Sequence, residues 1–357
     1  MQLNEQLMES VLESASVIAE PTGPVEVTYS ALSMFRDCRK AFQNRHIRQL
    51  VPVQTDDNLR FGSLIHNCLE QWHGGMSLDA VLDDIDHACE RRAVDPDVKQ
   101  MWHLARAMMR GYATRYPSEQ WEVVALEKTF SGPIINPETG AASRSFVLSG
   151  KVDGIVKMPD GCYVLEHKTA SAIDGDYLDK LWTDFQITIY AHYIEQTMGI
   201  PITGILYNVL VKAKLQQGKG ETEEEYQERR AELLAKSKTG KTTAKRKQPE
   251  SNEDFQQRLA EKYSDPELFH REMLYLSRDR FEILQAELWE LTKAMLEARR
   301  RGMYYQNSSQ CYNFAGYHRN CSYLPICKAG DNPVLIENLY RNVAPNAELR
   351  PATDPIF

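Results

Sequence analysis

The chain has 357 residues, with 42 lysines and arginines against 50 aspartates and glutamates, which gives a formal net charge of −8 at neutral pH. Hydrophobic residues make up 42% and charged residues 26%, a globular composition that excludes disordered, collagen-like and disulfide-scaffold classes. No apolar run approaches the roughly 18 residues of a membrane span, and residues 1–20 lack the features of a secretory signal. We therefore expect a cytoplasmic protein with no membrane partner.

The first part of the chain has a helical pattern and the middle part a strand pattern. An acidic leader at residues 1–27 precedes Thr28, which is placed to cap a helix, and helical periodicity continues over residues 28–118. Residues 119–213 contain β-branched runs bounded by turn residues, together with one predicted helix at 176–198. This order predicts an α/β fold, with a mixed sheet core flanked by helices.

The last part of the chain combines a charged segment with a long helical pattern. Residues 214–262 are rich in glutamate and then in lysine, and residues 236–247 hold six lysines and arginines without an acidic residue. This pattern predicts a helical insertion with a mobile basic middle. Residues 263–330 are predicted to form a helix from 265 to about 301 and then a cysteine-bearing segment, followed by a tail at 331–357.

Three charged residues in the strand region form the strongest chemical signal. Glu166 and Lys168 project from the same face of a predicted strand, while His167 points the other way. A Pro-Asp-Gly turn at 159–161 folds the preceding strand back, so that Asp153 comes near Glu166. Two neighbouring carboxylates repel unless a cation offsets their charge, and oxygen ligands favour Mg²⁺ or Mn²⁺. A surface ion pair between Glu166 and Lys168 is the alternative interpretation.

These residues and the helix that follows them resemble the PD-(D/E)XK nuclease superfamily, and in particular its RecB-like branch. In that family an Asp and a Glu bind the metal, a Lys completes the catalytic trio, and a Gln-x3-Tyr pair on the next helix lines the site. The matching positions are Asp153, Glu166, Lys168, Gln186 and Tyr190. The resemblance implies a restriction-endonuclease-like core and metal-dependent phosphodiester hydrolysis. An amphipathic helix that carries Gln186 and Tyr190 by chance is the alternative.

A histidine upstream resembles a further feature of the same branch. RecB-like nucleases carry a Gly-x3-His helix whose histidine is a metal ligand, and Gly62 and His66 have this spacing. The resemblance implies that His66 binds the cation, and an imidazole ligand shifts the preference toward Mn²⁺. A structural or solvated histidine is the alternative. Glu127, on the first predicted strand, could also approach the site, although an exposed strand carboxylate would explain it as well.

The seven cysteines are unevenly distributed. Cys311, Cys321 and Cys327 lie close together, whereas Cys38 stands far upstream. An odd number of cysteines without an export signal argues against a disulfide framework. One N-terminal and three C-terminal cysteines resemble the iron–sulfur RecB-like nucleases, which include AddB-type subunits and CRISPR-adaptation nucleases. This resemblance implies a [4Fe–4S] cluster that joins the helical N- and C-terminal regions. A Zn²⁺ site with the same four ligands, or thiols that bind nothing, are the alternatives.

Aromatic and basic residues accompany these cysteines. Single-stranded nucleic acid is commonly held by basic side chains and aromatic stacking platforms, so the two regions predict a DNA-binding wall if the cluster joins them. Packing around the cluster is the alternative. The residues concerned are Tyr304, Tyr305, Tyr312, Phe314, Tyr317, His318, Arg319 and Tyr323 in the C-terminal segment, and Arg36, Arg39, Lys40, Arg45 and Arg48 near the first cysteine.

The sequence as a whole predicts a metal-dependent deoxyribonuclease, an exonuclease that acts at DNA ends in recombination, repair or CRISPR adaptation. The expected partner is DNA, single-stranded or with free ends. Stand-alone relatives of this kind occur in phages and CRISPR loci, which suggests an annealing protein or a CRISPR integrase as a protein partner. A non-catalytic DNA-end-binding subunit of a recombination complex is the rival interpretation.

Overall fold

A computed structural model of the chain describes residues 23–54, 57–90, 96–313 and 320–350. Most of the predicted leader and the last residues of the predicted tail lie outside these ranges. Within them, helices surround one six-stranded mixed sheet, and two further strands form a small separate sheet. The expected α/β architecture is confirmed. None of the described helices has both the length and the apolar character needed to cross a membrane.

The strands and helices follow one another along the described chain. The strands are β1 (Val25–Val27), β2 (Leu50–Pro52), β3 (Glu122–Ile135), β4 (Ala142–Met158), β5 (Gly161–Ala170), β6 (Ile202–Val211), β7 (Phe269–Tyr275) and β8 (Tyr340–Asn342). The α-helices are α1 (Tyr29–Asp37), α2 (Arg39–Phe42), α3 (Asp57–His73), α4 (Leu78–Glu90), α5 (Pro96–Arg115), α6 (Gly175–Trp182), α7 (Phe185–Met198), α8 (Glu223–Lys236), α9 (Asn252–Tyr263), α10 (Asp279–Arg301), α11 (Leu324–Ala329) and α12 (Pro333–Leu339).

β4 organises the main sheet because it is long enough to pair with three other strands. β3 runs antiparallel along it, β1 pairs parallel with residues 146–148, and β5 pairs antiparallel with residues 154–158. β6 lies parallel to β5 and antiparallel to β7. The β4–β5 turn is tight at Gly161, where a Cβ atom would collide with the side chain of Thr203. This position therefore requires glycine, and the turn between β4 and β5 depends on it.

Two large apolar cores lie against the sheet. Alternate residues of β6 enter different cores, as expected for a strand that is buried on both faces. Ile205 and Val209 join the core that the sheet forms with α1, α7 and α10, whereas Leu210 joins the core built by α3, α4, α5 and α9. The sheet is therefore covered by helices on both sides.

The structure corrects two predicted helices. The helix predicted at 176–198 is interrupted, because Asp184 accepts a hydrogen bond from the backbone N–H of Gln186 at 2.9 Å and so caps a second helix, α7. The helix predicted from residue 265 is wrong over its first part. Residues 269–275 form β7, which pairs with β6 along its length, and the helix begins at Asp279.

The charged segment at 214–262 divides into a surface part and a core part. α9 packs into the helical core through Phe255, Leu259 and Tyr263, each of which is buried. The hydroxyl of Tyr263 donates to the backbone carbonyl of Val211 at 3.2 Å, which ties α9 to the end of β6. The part of the segment that remains on the surface is α8 with the residues on either side of it.

Candidate active site

The β4–β5 hairpin brings the three predicted catalytic residues to one site. The last residues that pair between the two strands are Gly154 and Leu165, and Asp153 and Glu166 are the next residues on each strand. The Lys168 ammonium donates to Glu166 Oε1 at 2.7 Å, and the backbone N–H of His167 donates to Asp153 Oδ2 at 2.7 Å. The side chains of Glu166 and Asp153 are only 8% and 15% exposed. Two carboxylates and an ammonium group thus share a largely buried site.

α7 supplies the predicted glutamine and tyrosine. Lys168 donates to Gln186 Oε1 at 3.2 Å, and Gln186 donates in turn to the hydroxyl of Tyr190. Asp184, which caps this helix, also accepts a hydrogen bond from the Tyr29 hydroxyl at 3.1 Å. The start of α7 is therefore fixed beside Lys168. Asp184 was not predicted as a functional residue, because it lies inside the amphipathic pattern that predicts one continuous helix at 176–198.

His66, on α3, lies on the other side of the same site. Its Nδ1 atom is 3.1 Å from Asp153 Oδ1. Gly62 lies one turn earlier and packs beside β5, so α3 approaches the hairpin closely. All six residues predicted for the catalytic site therefore come together. Glu127, the additional candidate, instead forms an ion pair with Lys151 on β4.

Burial and neighbouring charges shift the pKa values of the acidic residues. Burial raises the pKa of Glu166 to about 7, even though Lys168 lies beside it. Burial acts against ionisation of Asp153 as well, but the contacts with His66 and His167 together outweigh it and hold the pKa of this carboxyl below its usual value. A divalent cation at this point would reduce the repulsion between the carboxylates. Two carboxylates and an imidazole are a donor set that fits Mg²⁺ or Mn²⁺.

A buried polar network lies behind the hairpin, on the face opposite Glu166. Its centre is the hydroxyl of Tyr112, which accepts hydrogen bonds from Asn208 Nδ2 at 3.0 Å and from Arg271 at 2.9 Å. Because both neighbours donate to this oxygen, its own proton goes to His73 Nε2 at 3.2 Å. Asn208 also donates to His167 Nδ1 at 3.0 Å, and the rings of His73 and His167 stack at 5.3 Å.

These contacts assign a neutral tautomer to each histidine. His73 carries its hydrogen on Nδ1 and His167 on Nε2, and neither atom makes a hydrogen bond. Burial, with a contribution from Arg271, lowers the pKa of His73 to about 4, and burial also lowers the pKa of His167. Glu119 holds Arg271 through two hydrogen bonds of 2.7 and 2.8 Å. The network therefore supports the strand segment that positions Asp153. Of the whole network, the sequence predicted only the direction of the His167 side chain.

The predicted cluster cysteines come together at the junction of the N- and C-terminal segments. One small cavity is lined by all four of them, Cys38, Cys311, Cys321 and Cys327. Their thiols are free, and three are buried. Gln306 Nε2 lies 3.0 Å from Cys311 Sγ, to which it donates, and the backbone N–H of Asn307 donates to Cys38 Sγ at 3.5 Å. Such N–H groups commonly surround sulfur ligands of metal groups.

The chemistry of this cavity fits a thiolate-bound metal group. Burial raises the pKa of Cys321 to about 11, so the thiol stays protonated unless a cation favours its ionised form. Four sulfur donors suit either a [4Fe–4S] cluster or Zn²⁺. Within the described ranges, no three His, Cys, Asp or Glu side chains already surround a common ion position. The four thiols line this one cavity.

The two chain segments are also joined by contacts that involve no sulfur. β2 and β8 form a small antiparallel sheet, and the Tyr323 hydroxyl donates to the backbone carbonyl of Leu50 at 2.8 Å. Arg39 lies over the rings of Phe35 and Tyr305 at 4.7 and 4.6 Å. These contacts favour packing as the role of Tyr323, which is buried, whereas Tyr305 and Tyr312 are exposed. Four residues of the predicted DNA-binding wall lie outside the described ranges: Phe314, Tyr317, His318 and Arg319.

A mixed sheet whose central hairpin carries an Asp, a Glu and a Lys is the arrangement of a nuclease core. The family model of the PD-(D/E)XK nuclease superfamily matches residues 26–328, and the chain belongs to this superfamily. Among solved structures, a candidate exonuclease from Eubacterium rectale is similar, with 10% identity, coverage of 82% of this chain and 88% of that chain, and a TM-score of 0.39. This similarity is too low to carry an argument about activity. No curated protein matches the chain in sequence.

Proposed function

We propose that the protein is a metal-dependent deoxyribonuclease that hydrolyses phosphodiester bonds at DNA ends. One observation carries the proposal. Lys168 contacts both Glu166 and Gln186, while Asp153, which like Glu166 directly follows the last pair of the hairpin, contacts His66. A surface ion pair would need none of the other three residues. Asp153, Glu166 and His66 would hold Mg²⁺ or Mn²⁺. The preference for DNA ends is supported by the resemblance to RecB-like nucleases.

The residues of the site divide the work of hydrolysis among them. When bound, the divalent cation lowers the pKa of a water molecule and neutralises charge on the phosphodiester. The Lys168 ammonium, fixed between Glu166 and Gln186, offsets the negative charge that develops on the phosphate as water attacks phosphorus. Tyr190 receives the hydrogen bond of Gln186 and so keeps that amide oriented toward Lys168. Burial of the carboxylates strengthens each of these electrostatic contacts.

The cysteine cavity has a structural role in this proposal. A [4Fe–4S] cluster, with Zn²⁺ as the alternative, would bind Cys38, Cys311, Cys321 and Cys327. Such a group would tie together segments that are distant in the chain and so reduce the entropy of the unfolded state. Anaerobic purification should give a brown protein with iron bound. Zinc in stoichiometric amount without iron would show that the site is a zinc site.

The test compares degradation of end-labelled linear and circular DNA, single- and double-stranded, with Mn²⁺, with Mg²⁺ or with chelator. We expect metal-dependent loss of linear DNA, and we expect Lys168→Met to lower its rate by about a hundredfold or more. The matched control is Lys157→Met, because Lys157 lies on the same hairpin but is exposed. Removing its charge should leave the rate unchanged. The label released first gives the polarity of degradation.

Other outcomes point to different functions. A native protein that binds DNA ends but cleaves no DNA in any metal would support the non-catalytic end-binding subunit. Cleavage of circular DNA at the rate of linear DNA would exclude an exonuclease and indicate an endonuclease. Faster cleavage of RNA than of DNA in the same assay would assign the site to RNA.

A further inference from the structure

A projecting charged segment lies outside the candidate active site. We propose that residues 218–250, which we call the basic arm, form a second binding site for the phosphate backbone of the DNA, an inference that rests on the proposed function. The arm consists of a short lead-in, α8 and an irregular return segment at 237–250. None of the α8 residues is buried, so this helix contributes no side chain to either core. Its role therefore lies at the surface.

The two halves of the arm differ in charge. The first turn of α8 contains three consecutive glutamates, which stabilise the N-terminus of the helix. Residues 236–247 contain six lysines and arginines and no acidic residue. Lys238, Lys241 and Lys245 are exposed, and the structure gives their ammonium groups no partner in the described part of the chain. Closely spaced unpaired cations of this kind bind phosphates with release of counterions.

One carboxylate holds the return segment against α8. The Glu221 side chain is only 10% exposed, and it accepts hydrogen bonds from Arg229 at 2.8 Å and from a backbone N–H of the return segment at 3.0 Å. Arg229 and Tyr226 donate to the backbone carbonyls of Lys245 and Ala244 at 2.9 and 3.0 Å. A solvated linker needs no such contacts. The arm thus fixes the backbone of a segment whose lysine side chains remain in solvent.

The arm leaves the sheet at the edge where the catalytic strand ends. Ala170, two residues beyond Lys168, pairs with Val211. The backbone N–H of Lys212 donates to the Ala170 carbonyl at 2.8 Å. The residues from Lys212 to Gly218 can span at most about 20 Å. This length corresponds to about six nucleotides of one DNA strand. A DNA strand whose scissile phosphate lies at Lys168 can therefore contact the arm through phosphates that are several nucleotides from the cleavage point.

The experiment measures DNA binding in chelator, so that no cleavage occurs. In the arm variant, Lys238, Lys241 and Lys245 are replaced by glutamine. We expect its affinity for a single strand of about 30 nucleotides to fall about tenfold to a hundredfold, and the slope of log affinity against log salt to decrease by about 2. Affinity for a strand too short to reach the arm should not change. With metal present, KM for the long strand should rise while kcat is kept.

Two further variants make the test specific. The charge-matched control replaces three exposed lysines outside the arm by glutamine: Lys157, Lys262 and Lys293. This control should bind long DNA as the native protein does. Glu221→Gln keeps all the cations but weakens the contacts that hold the return segment, and it should also lower affinity for long DNA.

The outcomes separate this inference from the proposed function. If the arm variant and the charge-matched control bind long DNA with equal affinity and equal salt dependence, the arm is not a DNA site. If Glu221→Gln binds as tightly as the native protein, the held conformation of the segment has no role in binding. A native protein that binds DNA through the arm but cleaves none would overturn the nuclease proposal and leave the arm site intact.

Discussion

Acidification should destabilise the fold through His73. Its Nε2 atom accepts the proton of the Tyr112 hydroxyl, and the oxygen of that hydroxyl is already occupied by Asn208 and Arg271. A second proton on His73 would face the hydroxyl proton with no acceptor between them. Burial and the Arg271 guanidinium accordingly lower the pKa of His73 to about 4. In the unfolded chain the ordinary pKa of about 6.5 returns.

The sign and size of the effect follow from proton linkage. Between the two pKa values the unfolded chain binds a proton that the folded protein does not bind, so stability is complete above about pH 6.5 and is lost as the pH falls toward about 4. The His73 side chain is fully buried, so solvent does not screen the effect. Integrating the proton uptake from about pH 7 to about pH 5 gives a loss of about 2 kcal/mol in the free energy of unfolding.

Urea denaturation of the native protein and of His73→Gln at both pH values tests this reasoning. The glutamine carbonyl oxygen can accept the Tyr112 proton, and the side chain does not titrate. The carboxylates titrate in both proteins and cancel in the comparison. We expect the native protein to lose about 2 kcal/mol more than the variant on acidification. An equal loss in the two proteins would refute both the tautomer assignment and the buried neutral state of His73.

Three further predictions concern the site, the cysteine cavity and the sheet. Glu166→Gln removes a carboxylate from the proposed cation site and should lower the cleavage rate by about a hundredfold or more, measured with end-labelled linear DNA. Cys321→Ser should lose bound metal, measured by absorption spectra and elemental analysis, whereas Cys162→Ser, outside the cavity, should keep it. Gly204→Ala should lower the free energy of unfolding, measured by urea denaturation, by about 1 to 3 kcal/mol, because the new Cβ atom would collide with the Leu274 carbonyl.

Each of these predictions has a contradicting result. Cleavage by Glu166→Gln at the native rate would remove this residue from the metal site. Metal content in Cys321→Ser equal to that of the native protein would show that the cavity binds no group through this thiol. A Gly204→Ala variant as stable as the native protein would mean that β7 moves away from β6 at little cost.

The catalytic hairpin could be predicted because the relevant information is local. The alternation of Glu166 and Lys168 along a strand, and the turn that returns Asp153 to them, are properties of fewer than twenty consecutive residues. His66 was predicted from its spacing to Gly62, which only the family resemblance made informative. The structure brings these residues together as expected.

The rest of the site depends on pairings between distant residues. Tyr112, on α5, meets Arg271 only because residues 269–275 form a strand at the edge of the sheet rather than the predicted helix. Such a strand is stabilised by its partner β6, and no local propensity reveals the partner. The interruption of the predicted helix at Asp184 was missed for a different reason. A single capping residue inside a continuous amphipathic pattern gives a weak signal.

The position of the four cysteines in the chain determines when the cavity can form during synthesis. Cys38 leaves the ribosome long before the other three cysteines of the cavity, since Cys311 follows it by 311 − 38 = 273 positions in the chain. At about 5 to 20 residues per second, that interval lasts roughly 15 to 55 s. Any group bound there is therefore inserted late in synthesis or after it. A chain truncated before Cys311 would still contain the catalytic hairpin, but α1 would end at an exposed thiol without its partners.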